Sequence, residues 1–153
     1  MPKKKKFRMP ISYEQFEEMS KQMEEMEIND MDENLQICAI LMNYKRYSSI
    51  DNPSEKIKLV TVIMSGTMIG LMTNPNEAIC QAACANDGYA VKYIQNPSYK
   101  CQILAVNQDP TAIALINEPC EEVQLAAIAI DSRVIVMIKN PTQNAQMMAK
   151  LSN

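Results

Sequence analysis

The chain has 153 residues, 47% of them hydrophobic and 22% charged, with a formal net charge of −3 and neither histidine nor tryptophan. That length suits one domain with a sizeable core, and the missing histidine removes the side chain most often used for acid-base catalysis and metal binding. No apolar run approaches the roughly 20 residues of a membrane-spanning helix.

Residues 1–9 form a basic flexible tail carrying the run KKKKFR, with no hydrophobic stretch behind it, so a secretory signal is not expected. Lys3, Lys4, Lys5, Lys6 and Arg8 are the candidate nucleic-acid contacts, since such a run can meet phosphates or act as a nuclear import signal. The plainer reading is a solvated tail. From residue 30 onward nine Lys and Arg stand against twelve Asp and Glu, and an acidic body repels phosphate.

Residues 10–29 predict an amphipathic helix. Ser12 with Gln15 three residues on makes a capping box, and Tyr13, Phe16, Met19, Met23 and Met26 recur at threes and fours. Glu14, Glu17, Glu18, Glu24, Glu25 and Glu27 fill the opposite face. The helix can fold back as a cap over the segment that begins at residue 30, or pair with its copy in a homodimer; if neither holds it, Phe16, Met19, Met23 and Met26 are the candidate partner-binding residues.

From residue 30 to residue 153 the chain repeats its plan. Units begin at Asp30, Asn52, Asn74, Asn96 and Glu118, each 22 residues after the last, and a partial unit begins at Asn140. Periods of about 20 to 50 residues mark solenoids and arrays. Asn-Pro opens most units, with Glu118-Pro119 as a variant. Asn is expected to cap the first helix, with Pro in its first turn and Glu33, Glu55, Glu77 and Glu121 reaching back to the cap.

Within each unit the sixth, ninth and eleventh columns are apolar and the tenth is small: Ala39, Thr61, Ala83, Ala105, Ala127 and Ala149. This spacing puts the core on one wide helical face, as in a stacked array. Ser65-Gly66, Asp87-Gly88, Asp109-Pro110 and Asp131-Ser132 then end the first helix and cap a second element. That element has apolar residues at i, i+1, i+3 and i+4, as in Met68, Ile69, Leu71 and Met72, which is helical spacing. A leucine-rich repeat, with a strand in each unit, shares this length, but a strand would alternate strictly. The reading is an all-α short solenoid of 22-residue helical hairpins. In the first unit, Lys45, Arg46 and Ser48 are expected to break the second helix.

The repeating units resemble a tandem-repeat family of unknown function that is abundant in mimiviruses and also found in phages. The resemblance covers residues 30 to 153 and is strongest from Asn74-Pro75 through Cys80, Ala83, Gly88, Ala90 and Ile94. It implies the helical repeat fold and a viral origin, and it brings no catalytic motif.

No catalytic, cofactor-binding or metal-ligating set emerges from the residues. No Ser, Cys or carboxylate stands in a nucleophile or acid-base constellation, and the three glycines are scattered at turns. Cys80 and Cys84 lie one helical turn apart, yet no histidine or CxxC pair completes a zinc site. Five cysteines, an odd number, fit free thiols in a reducing cytosol. The function expected is therefore a non-catalytic interaction module with a host or viral protein as partner. The alternatives are nucleic-acid binding through the basic tail and a self-associating structural protein.

Overall fold

The computed structural model describes residues 13–152, and its regular structure is entirely helical, with no strand among the described residues. Helix α1 spans Tyr13–Glu25 and leads through a short 3-10 turn, Ile28–Asp30, into the array. The array's α-helices are α2 (Glu33–Met42), α3 (Glu55–Met64), α4 (Glu77–Asn86), α5 (Tyr99–Gln108), α6 (Glu121–Ile130) and α7 (Gln143–Leu151). Each of α2 to α6 is followed by a second helix of 3-10 type, at Tyr44–Ser49, Gly66–Leu71, Gly88–Tyr93, Pro110–Leu115 and Ser132–Met137.

Each α-helix packs on the α-helix of the next unit. From the second unit to the fifth, each 3-10 helix likewise packs on its successor, and also against its own α-helix and the next one. The result is a two-layer solenoid with its core between an α layer and a 3-10 layer. The sixth, tenth and eleventh columns fill that core: Ile57, Ile79, Cys101 and Val123; Ala83, Ala105 and Ala127; Val62, Cys84, Val106 and Ile128 are all buried. The ninth column, read as core, is only half-buried.

Three expectations change. First, the capping residue is the third of each unit. Asp32, Ser54, Asn76, Ser98 and Thr142 accept from the backbone N–H three residues on, as Asn76 Oδ1 does from Ile79 N at 3.0 Å. The Asn before Pro53, Pro75 and Pro97 instead takes the left-handed conformation, with φ of 51° at Asn52, 49° at Asn74 and 53° at Asn96, a region that Asn tolerates better than most residues. Pro then holds the chain extended into the cap, and the glutamates after it occupy the first helical position, where the helix dipole favours them.

Second, the second element is a 3-10 helix of six residues. It is bracketed by extended residues, Asp87 at φ −145° and Ile94 at φ −95°. The Asp side chain caps the N–H two residues on, as Asp87 Oδ1 does for Tyr89 N at 2.9 Å, so the turn is tightened from its start. Third, Lys45, Arg46 and Ser48 do not break the first unit's second helix, because Asn43 caps it in the same way, through Lys45 N at 3.1 Å.

The fifth unit departs at its turn. Glu118 holds φ 52° where the other left-handed positions carry Asn. A side chain without Asn's local hydrogen bonding costs about 1 kcal/mol there. Glu118→Asn is expected to raise the melting temperature by roughly 2 to 4 °C; a calorimetric scan with no rise would refute the strain.

The small tenth column is explained by a close approach. An added Cβ at Gly66 would lie 2.5 Å from the Ala83 carbonyl oxygen, and one at Gly88 would lie 2.6 Å from that of Ala105. The 3-10 helices of the second and third units therefore start directly against the α-helix of the next unit. Ala105→Leu is expected to overpack this contact and cost about 1 to 3 kcal/mol in denaturant unfolding, and an unchanged midpoint would refute it.

At the N-terminal end, α1 packs onto the first unit. Met23 is 2% exposed, within a core shared with Ile28, Met31, Ile40, Tyr47 and Ile57. Arg46 donates from Nη1 to the Met23 carbonyl at 3.3 Å, fixing the end of α1 over the second helix of that unit.

Candidate interaction surface

A six-residue 3-10 helix with three residues per turn cannot bury every side it presents. Its middle positions, Ala90 and Val91 or Ala112 and Ile113, face inward and are buried. Its last residue does not. Leu71 (59% exposed), Tyr93 (50%) and Met137 (45%) occupy this position in successive units, with the half-buried Leu115 between the last two. They make an apolar stripe that runs across four units, and Val136 adds to its C-terminal end at 85% exposed.

Shallow clefts lie between the stripe and the turns. One of about 260 Å³ is lined by Tyr47, Ile50, Pro53 and Leu71. A second of about 480 Å³ is lined by Val91, Ile94, Asn96, Leu115 and Glu118, and a third of about 480 Å³ by Ile113, Ile116, Asn117, Pro119 and Met137. The polar residues lining the two larger clefts are the amides Asn96, Gln102, Asn117, Gln124 and Asn140, and the charged ones are Glu118, Lys92 and Lys139. Lys92 also stands over the Tyr93 ring, with Nζ 5.8 Å from its centroid. Such a surface offers apolar area and amide hydrogen bonds rather than a reactive group. A smaller apolar patch, Leu41, Met42, Ile63 and Met64, lies at the C-terminal ends of α2 and α3 and is exposed as well. The later units carry Asn86 and Gln108 in that column, so the patch does not continue along the array.

The titratable groups are accounted for by packing and capping. Cys80, Cys84 and Cys101 lie buried between α4 and α5, where burial pushes the Cys84 thiol up to about 12 and raises the other two. Protonated, desolvated thiols are poor nucleophiles and poor ligands. The Ser98 hydroxyl and then the Gln81 amide hold the Glu77 carboxyl below the usual range. Among the described residues no group of three or more Cys, Asp or Glu side chains is placed to hold a metal ion.

Of the candidate partner-binding residues on α1, Met23 is buried in the fold and Met26 is 38% exposed, while the side chains of Phe16 and Met19 lie outside the described residues. Lys3, Lys4, Lys5, Lys6 and Arg8 lie outside them too. The stripe was hidden in the sequence because its residues sit among the apolar positions of the second element. Six residues are too few to tell a period of 3.0 from one of 3.6, and periodicity marks a side without saying where along the helix cover stops. No protein-family model matches the chain, and neither a curated protein nor a solved structure does.

Proposed function

We propose that this chain is a non-catalytic protein-protein interaction module of the phage or giant-virus type, which inhibits or sequesters a host factor by holding it along the 3-10 face of the array. The observation that carries the reading is the stripe of Leu71, Tyr93, Leu115 and Met137, one apolar side chain per unit beside a row of clefts. Contiguous exposed apolar area rimmed by polar groups is what a protein partner covers, and solenoids use extended faces in this way. The viral part rests on the resemblance of the units around Asn74 to Ile94. The host cytosol is the location that suits five free cysteines, and no helix among the described residues is long and apolar enough to cross a membrane.

The test is affinity purification from infected cells, with and without nuclease, comparing the native chain with a Leu71→Ser/Tyr93→Ser variant. Covering two half-exposed apolar side chains is worth roughly tenfold to a hundredfold in affinity. The native chain is expected to capture the same protein in both arms, and the variant to lose it while keeping its circular dichroism and melting temperature. Capture abolished by nuclease would replace this reading with nucleic-acid binding through Lys3 to Arg8. Recovery of further copies of the chain alone would favour the self-associating structural protein.

A further inference from the structure

We infer that the joint between the fourth unit (residues 96–117) and the fifth (residues 118–139) is a hinge, held closed by apolar packing and stripped of the polar contacts that fix rotation at other joints. Those contacts form two kinds of rung. In the first, the glutamate that begins one α-helix accepts a hydrogen bond from the capping side chain of the next unit. Ser54 Oγ donates to Glu33 at 2.6 Å, the Asn76 amide donates to Glu55, and Ser98 Oγ donates to Glu77 at 2.6 Å. At the last joint Asn144 Nδ2 donates to Glu121 at 2.9 Å, and Thr142 N donates to Gln124 Oε1 at 2.9 Å.

In the second kind, an amide at the end of one α-helix reaches the start of the preceding 3-10 helix. Asn86 Oδ1 accepts from Gly66 N at 2.8 Å while its Nδ2 donates to the Ile63 carbonyl at 2.9 Å, and Gln108 Oε1 accepts from Gly88 N at 2.6 Å.

Between the fourth and fifth units both partners of both rungs are absent. Tyr99 stands where the glutamate would be, and the cap is Cys120, whose side chain makes no capping bond. Pro110 begins the 3-10 helix without an N–H, and Ile130 brings no amide to meet it. Paired loss leaves no polar side-chain atom buried without a partner among the described residues, so the joint need not be weak. Val106 and Ile113 on one side and Val123, Ala127 and Ile128 on the other belong to one continuous core. That attraction is proportional to buried area and has no direction. Hydrogen bonds have one. The joint therefore keeps its cohesion while losing what would hold its angle.

Two further observations fall at this joint. The connecting turn carries Glu118 at φ 52°, the left-handed position without Asn. The two clefts of about 480 Å³ both include Asn117 and Glu118 in their walls, so rotation here reshapes both at once. Bending at this joint would let the array adjust to the contour of whatever lies in them.

The experiment is a pair of pulsed electron-electron distance measurements on the full chain, with spin labels on introduced non-natural residues so that the native thiols stay. Labels at positions 63 and 107 span the two joints with both rungs; labels at 85 and 129 span one such joint and the proposed hinge. The second pair is expected to give the broader distribution. Tyr99→Glu with Cys120→Ser, which rebuilds the first rung, is expected to narrow it and to slow amide exchange around residues 116–121 by about tenfold, the order of one hydrogen bond to a carboxylate. Equal widths for the two label pairs in the native chain would overturn the hinge. So would an unchanged width in a double variant whose melting temperature exceeds that expected from the two single changes added together.

Discussion

Gly88→Ala is expected to destabilise the array by about 3 kcal/mol, the upper end for a substitution that overpacks a core. Gly88 has no positive φ, so the requirement is for space and not for conformational freedom. The added Cβ would sit 2.6 Å from the Ala105 carbonyl oxygen, 3.0 Å from Gln108 Oε1 and 3.3 Å from Ala112 Cβ. The first of these is backbone in the middle of α5 and can yield only if the third and fourth units move apart. Doing so would also strain the Gly88 N–H bond to Gln108, now 2.6 Å. Gly70→Ala is the internal control. Its Cβ would meet the Tyr93 ring at 2.9 Å, but that ring is half exposed and can turn aside, so a change of less than about 1 kcal/mol is expected. Urea unfolding of the two variants decides the matter, and equal midpoints would remove the argument that the 3-10 helix is held hard against the next unit.

Ile113→Ala is expected to cost about 2 to 5 kcal/mol, the range for truncating a buried aliphatic side chain. Ile113 is 1% exposed and lies in the continuous core of units two to six. It belongs to one core with the buried Val106, Ala112, Val123, Ala127 and Ile128, so truncation removes contacts from a closely packed site. In an array whose units rest on one another, loss at an internal unit is felt on both sides. The melting temperature should fall by about 5 to 15 °C. Val136→Ala, at a position 85% exposed, should leave it unchanged. A small loss at Ile113 would mean that the two layers are less tightly joined than their burial indicates.

The period, the unit boundaries and most of the buried columns are written in the residues alone. These are local statements about which residues recur, and a repeat writes each of them several times. Ala83, Ala105 and Ala127 mark the close packing of helices because a small residue recurs where its neighbours are large. Asp87, Asp109 and Asp131 mark the start of a second element because a side chain that caps two residues ahead acts within its own turn.

Packing between distant parts of the chain settles what local signals leave open. Asn-Pro suits either a helix cap or a left-handed turn before an extended residue, and only the route of the chain between layers selects the turn. Six apolar-rich residues fit an α-helix as well as a 3-10 helix, and the tighter form wins because its capped start must pass directly beneath the next α-helix. The exposed apolar stripe was open for the same reason. Met23 and Leu71 are both apolar residues on apolar faces, yet Met23 is covered by the first unit and Leu71 is left bare. Whether an apolar side chain becomes core or surface depends on which element comes to lie over it, and that element is far away in the chain.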